Sequence, residues 1–307
     1  MKFSIYQESR QGPRKANQDR VAYSYSRDSL CMVIADGMGG HLHGEVAAQI
    51  ATQFIVEAFQ RQAQPRLNEP FKFLLDTIMH AHLAIIDYAN VRGLLETPRT
   101  TCVACVVQDG LAYWAHVGDS RLYLIREGRI EGQTRDHSRV QMLVDSGRIR
   151  EEAVAVHPDR NKIFNCLGQM APPKIELSRA TALRHRDTIL MCSDGLWGPL
   201  SGRIICEALL LDEIMGAIPK LLDMAAARAG KEGDNLSALA ITWAEEQPVA
   251  EDSKWISTVT MNDTDHRSTV KPFGKTETQE PVSGYLSDDE IERAIDEIRI
   301  AIRKQTK

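Results

Sequence analysis

The spacing of apolar and polar positions marks out the elements of this chain. Short β-type runs come first, at residues 3–8, 21–26 and 30–35. Val46, Ala47, Ile50, Ala51, Phe54, Ile55 and Ala58 then recur every three or four residues, predicting a helix over 44–60 with one buried stripe. Phe73, Leu74, Ile78, His82, Ile85 and Ile86 predict a second helix over 70–91 in the same way. β-type runs return at 101–108, 111–117 and 120–126. Asp109-Gly110 joins the first pair and Glu127-Gly128 follows the last, both hairpin-type turn signals. Residues 138–168 read as helix-like and irregular, and strands resume at 174–182 and 187–193. A helix over 212–228 and a strand over 237–244 complete the series. Strands in runs, with helices grouped in pairs, indicate an α+β layered domain over 1–244 rather than an alternating parallel sheet.

The pattern changes after Ala244. Residues 245–286 are rich in Thr, Ser, Asp, Glu and Pro and poor in large apolar side chains, so they read as a flexible linker. A capping box, Ser287-Asp-Asp-Glu290, then opens an amphipathic helix over 287–307. Acids occupy its first turn and Arg303, Lys304 and Lys307 its end, matching the helix dipole. Ile291, Ile295, Ile298 and Ile302 form one stripe, which on a tether suits docking to a partner or to the chain's own domain.

Composition acts mainly by exclusion. Hydrophobic residues at 43% and charged residues at 26% are ordinary for a soluble globular protein. A formal net charge of −5 without a basic stripe argues against a nucleic-acid partner. No apolar run approaches the about 20 residues that span a bilayer, and the opening Met1-Lys2-Phe3-Ser4-Ile5 lacks a signal-peptide pattern, so the expectation is cytoplasmic, with no membrane partner. Six cysteines stand mostly in apolar contexts and read as core. Cys102 and Cys105, three apart on a strand, point to opposite faces and do not form a metal or redox pair.

The chemistry lies in the acids. Asp19, Asp36, Asp119, Asp194 and Asp234 all stand in turn-like contexts at strand ends, and Asp36 and Asp194 follow apolar strands directly. One Asp-Gly after a strand is simply a turn. Five such carboxylates brought together would repel unless cations lay between them, and hard oxygen ligands favour magnesium or manganese.

In order along the chain, Arg14…Asn17-Gln18-Asp19, Asp36-Gly37-Met38-Gly39-Gly40, Gly118-Asp119-Ser120-Arg121, Asp136-His137-Ser138, Ser193-Asp194-Gly195 and Asp234-Asn235 resemble the PPM (type 2C) protein serine/threonine phosphatases. The bacterial branch is nearest in style, and 157–168 resembles its flap, which is expected over about 138–168. The resemblance implies a four-layer αββα sandwich, a central antiparallel β-sandwich flanked by helix pairs. It implies two Mn2+ or Mg2+ ions with a third, weaker site. Asp36 would bridge two ions, and the Gly37 carbonyl would bind one of them. Asp194 and Asp234 would hold the first, Asp19 would belong to the shell of the second, and Asp119 with Asp194 would serve the third. Arg14 would grip the substrate phosphate with its guanidinium fork. A water between two ions would attack phosphorus, so no protein nucleophile is needed. The implied substrates are phosphoserine and phosphothreonine proteins, with a Ser/Thr kinase as counterpart.

Some positions depart from the family pattern. Met38 fills the slot where animal members carry a histidine proposed to protonate the leaving alkoxide, leaving His41 as the candidate general acid. Gln18 stands where many relatives have glutamate, and Pro98-Arg99 where Met-Gly is common. Gly37-Met38-Gly39-Gly40 fits no nucleotide-loop pattern. The competing reading is a catalytically silent phosphoprotein-binding domain of the same fold, and the intact set of aspartates favours catalysis.

Overall fold

The computed structural model describes residues 1–38, 43–150, 153–154, 157–244 and 267–269. The candidate acid His41 and the helix expected over 287–307 lie outside the described residues. The chain runs through β1 (Lys2–Arg10), β2 (Asp19–Tyr25) and β3 (Ser29–Asp36), then helices α1 (Gly44–Gln62) and α2 (Pro70–Arg92). Next come β4 (Cys102–Gln108), β5 (Leu111–Val117), β6 (Arg121–Arg126), β7 (Arg129–Gln133) and the short helix α3 (Arg139–Asp145). After β8 (Glu176–Leu177), β9 (Thr181–Ala182) and β10 (Thr188–Cys192) follow α4 (Asp194–Trp197), α5 (Gly202–Leu211) and α6 (Ile214–Ala229). The last strands are β11 (Leu236–Ala244) and β12 (Arg267–Ser268).

Two antiparallel sheets carry the fold, one ordered β1-β11-β10-β6-β7 and the other β12-β2-β3-β4-β5-β8, with β9 also on β5. Side chains alternate across each strand, and here both faces are covered. Leu30, Met32 and Ile34 of β3 join Val103, Cys105, Leu122, Leu124, Met191, Leu239 and Ile241 in a core between the sheets. Cys31, Val33 and Ala35, the alternate positions, pack with Cys102, Ala104 and Val106 under α1 and α2. On the far side Tyr123, Leu190, Cys192, Ala238 and Ala240 pack under α5 and α6. Helix pair, sheet, sheet and helix pair are therefore the four layers expected from the sequence. Cys102 and Cys105 do face opposite cores, and all six cysteines are free and buried.

The differences from the sequence reading are local. The single strand expected over 174–182 is two short ones, because Ala115 pairs with Leu177 and Ala112 with Thr181, leaving one extra residue on the outer strand. Residues 267–269, inside the stretch read as linker, return to the edge of β2, where Ser268 pairs with Ser24 and Thr269 N donates to Tyr23 O at 3.0 Å. Among the described residues no helix is long and apolar enough to cross a membrane.

Leu239 is fully buried between the sheets. Leu239→Ala is expected to lower unfolding free energy by about 2–5 kcal/mol, the range for a buried Leu truncation, as measured by urea denaturation. A loss well under about 1 kcal/mol would mean that the inter-sheet core is not close-packed there.

Candidate metal centre

Antiparallel connection puts the end of one strand beside the start of the next, and the aspartates use this. Asp19 opens β2 and Asp36 closes β3, and the two are direct cross-strand partners. Gly118-Asp119 bridges the end of β5 and the start of β6. Asp194 follows β10, and Asp234 precedes β11. Ladder directions bring all five to the same end of the sandwich.

Close backbone approach shapes that end. A Cβ on Gly37 would lie 2.4 Å from Gly44 O and 2.8 Å from Gln18 O, so only glycine permits the passage after Asp36. A Cβ on Gly195 would lie 2.0 Å from Asn235 O, and this contact sets the Asp194 turn against the Asp234 loop. Asn235 ties the loop around Arg14: its Nδ2 donates to Gln11 O at 2.7 Å and Ala16 O at 2.9 Å, and its Oδ1 accepts from Gln18 N at 2.8 Å. Thr101 holds Asp36, with Thr101 Oγ1 accepting from Asp36 N at 3.0 Å and Thr101 N donating to Asp36 O at 2.9 Å. Ser193 Oγ donates to Asp19 Oδ2 at 2.7 Å. Arg14 Nη2 donates to Asp234 Oδ2 at 2.7 Å, both side chains being partly exposed.

Burial and mutual repulsion act together on these carboxyls. Burial raises Asp36 well above the usual carboxylate range, and Asp19, Asp194, Asp119 and Asp234 push it further. Burial likewise raises Asp194 well above its ordinary value, helped by Asp119, Asp234 and Asp19 and opposed by Arg14. Asp19 is pushed up to about 6, first by burial, with Ser193 pulling it back. Asp119 is pushed up to about 7, by burial and then by Asp136, with Arg121 opposing. Asp19 Oδ1 and Asp194 Oδ1 are buried with no hydrogen-bond partner among the described residues. Orphaned buried carboxylate oxygens in a crowded, all-oxygen set are the donor chemistry of a hard divalent cation.

Comparison with known proteins gives this end of the molecule its context. The family model described as "Protein phosphatase 2C" matches residues 7–204. The chain belongs to the protein phosphatase 2C family. It is 33% identical over 226 residues to the serine/threonine protein phosphatase PstP of Mycobacterium tuberculosis, a match covering 73% of this chain and 42% of PstP. The chain thus spans less than half of that relative's length. It is also 33% identical over 186 residues to the serine/threonine phosphatase stp of Listeria monocytogenes, covering 60% of this chain and 73% of stp. Among solved structures, the S. agalactiae serine/threonine phosphatase superposes with a TM-score of 0.71 at 28% identity, covering 79% of this chain and 100% of that one. The catalytic domain of PstP in complex with two manganese ions superposes with a TM-score of 0.66 at 30% identity, covering 80% and 99%.

As a protein phosphatase 2C chain, it also holds buried polar residues at this end to which the sequence reading gave no role. Glu45, at the start of α1, is buried and accepts from Gln18 Nε2 at 3.1 Å, and its Oε1 has no hydrogen-bond partner among the described residues. Trp197 Nε1 donates to Asp119 O at 3.0 Å, while its ring lies 3.7 Å from the Arg121 guanidinium carbon. Arg121 in turn makes a bidentate pair with Asp136, both bonds 2.8 Å. An Asp after a strand is visible in sequence, whereas these partners become meaningful only once the loops converge.

The raised carboxyls set a pH dependence in metal-free protein. Their ordinary value is 3.8, so folding carries no ionisation cost well below that pH. The cost grows as pH rises, and is complete only above about 6 for Asp19 and about 7 for Asp119. With chelator present, the melting temperature of wild type should fall from about pH 5 to about pH 7 more steeply than that of Asp119→Asn, which cannot ionise there. Saturating manganese should flatten the wild-type slope. Parallel slopes for wild type and variant in chelator would contradict the assignment of Asp119 to the crowded set.

Proposed function

We propose that this chain is a metal-dependent protein serine/threonine phosphatase that hydrolyses phosphoserine and phosphothreonine esters on other proteins. The observation that carries the reading is the gathering of Asp19, Asp36, Asp119, Asp194 and Asp234 at one end of the sandwich, with buried oxygens of Asp19 and Asp194 unpartnered among the described residues. Asp36 would bridge two manganese or magnesium ions, assisted by the Gly37 carbonyl. Asp194 and Asp234 would hold one ion, Asp19 would belong to the shell of the other, and Asp119 would serve a weaker third. When bound, such ions supply an activated water and offset charge on the phosphoryl oxygens.

The chain's own residues orient the substrate. Arg14, on the partly exposed loop beside Asp234, can exchange that pair for two phosphoryl oxygens, and its fork geometry suits them better than lysine would. Thr100 and Thr101 fix the Asp36 backbone, so the carboxylate does not have to reorganise as charge moves. His41 is proposed to protonate the leaving alkoxide. The substrates are the products of a serine/threonine kinase. The isoleucine stripe of 287–307 is proposed as a docking element for a partner or for the chain's own domain. Pull-downs with and without 246–307 test that role, and equal recovery of partners removes it.

Manganese-dependent hydrolysis of a phosphothreonine peptide should stop with chelator and fall by at least about 100-fold in Asp36→Asn, with the fold retained by circular dichroism. Arg14→Ala should lower kcat/KM by about 10–100-fold, the worth of a charged hydrogen-bonded contact. A well-folded wild type that binds phosphopeptide but does not turn over with manganese would make it the silent binding domain instead.

A further inference from the structure

His116, His137 and Glu176 form a second cluster, whose donor atoms all lie within 4.8 Å of one another. Two buried imidazoles and a carboxylate look like a zinc-type donor set. Hydrogen bonds place the ring protons against that reading. His137 Nδ1 faces two donors, Gly118 N at 3.1 Å and Asn165 Nδ2 at 2.7 Å. The Asn165 amide is not free to flip, because its Nδ2 donates to Lys174 O at 2.8 Å and its Oδ1 accepts from Lys174 N at 3.0 Å. Nδ1 of His137 is therefore the lone-pair nitrogen, and Nε2 carries the proton, donating to Glu176 Oε2 at 3.2 Å. A cation on Nε2 would force a proton onto Nδ1, against both donors. His116 Nε2 lies 2.7 Å from Arg135 O, a carbonyl that only accepts, so it too is protonated there. Burial keeps both stacked rings toward the neutral form.

We infer that His137 is a positioning residue that holds the Gly118-Asp119 turn in the shape that presents Asp119 to its cation, and this rests on the reading of Asp119 under Proposed function. His137 grips Gly118 twice, because its own N also donates to Gly118 O at 2.9 Å. Gly118 needs that grip. Its φ is 103°, and a Cβ there would lie 2.7 Å from Thr101 Cβ, so the turn is held from outside rather than by its own preference. Trp197 fixes the Asp119 carbonyl, and Thr101 Oγ1 lies 2.7 Å from Ser120 Oγ. His137 adds a link to the flap side: its carbonyl accepts from Phe164 N at 3.0 Å, and Asn165 orients its ring. One imidazole thereby joins Asn165, within the flap stretch 138–168, to the loop that carries Asp119.

The test is manganese-binding calorimetry on wild type, His137→Leu, His137→Asn and Asp119→Asn, with melting temperatures of the metal-free proteins. Manganese dependence of p-nitrophenyl phosphate hydrolysis is measured in parallel. His137→Leu should weaken the weaker binding class by about 10-fold or more while leaving the tight class nearly unchanged, as loss of an outer partner does. His137→Asn, whose Oδ1 can accept from Gly118 N, should recover most of that affinity. If His137→Leu does not fold, Glu176→Leu, at a partly exposed position, should show a smaller loss in the same class. A lowered melting temperature with unchanged weak-class affinity in His137→Leu, or in Glu176→Leu where it stands in, would overturn the inference. So would stoichiometric zinc binding by Asp119→Asn that His137→Leu abolishes. Wild type that neither binds manganese nor turns over would instead overturn the functional reading, so the two failures are distinct.

Discussion

Repulsion among buried carboxylates is the constraint on which this molecule turns. Five aspartates meet at one end of a sandwich, and burial first, then their mutual repulsion, pushes four of them upward. An apolar core of this size tolerates such a cluster only if protons or cations neutralise it. Two arginines at this end are already paired with acids, Arg14 with Asp234 and Arg121 with Asp136. On the proposed reading, divalent cations would resolve the conflict and at the same time supply the chemistry.

The scaffold makes that conflict affordable by rigidity. Each central strand is covered on both faces, so the strand ends have little freedom to splay and relieve the charge. Gly37 lets the backbone after Asp36 pass close to Gln18 and Gly44, and Gly195 lets the Asp194 turn meet the Asp234 loop, at distances no side chain allows. Hydroxyls and amides then fix the surroundings of the acids: Thr101 holds the Asp36 backbone, Ser193 the Asp19 carboxylate and Asn235 the Arg14 loop. His137 extends this logic to Asp119, where the held atom is a glycine peptide rather than the acid itself.

Much of this was legible in the sequence, and the exceptions have physical causes. The α1 and α2 stripes and the β3 to β5 runs were legible because each buries a regular face. α5 was not, since it is only ten residues long and its apolar run continues into exposed Leu210 and Leu211. β7 was missed because it is an edge strand of largely exposed polar residues, entered through a bulge between Leu124 and Ile125. The aspartates stood out because each follows or precedes an apolar strand. Glu45 and His137 did not: a buried acid on a helix and a histidine within Asp136-His137-Ser138 gain meaning only from Gln18 and Gly118, which are distant in sequence.

Anomalous diffraction from manganese-soaked crystals tests the central claim most directly. The account predicts two strong peaks about 3.5–4 Å apart, within coordination reach of Asp36, with Asp194 and Asp234 on one of them. Peaks confined to His116, His137 and Glu176, or none beside Asp36 at saturating manganese, would contradict it.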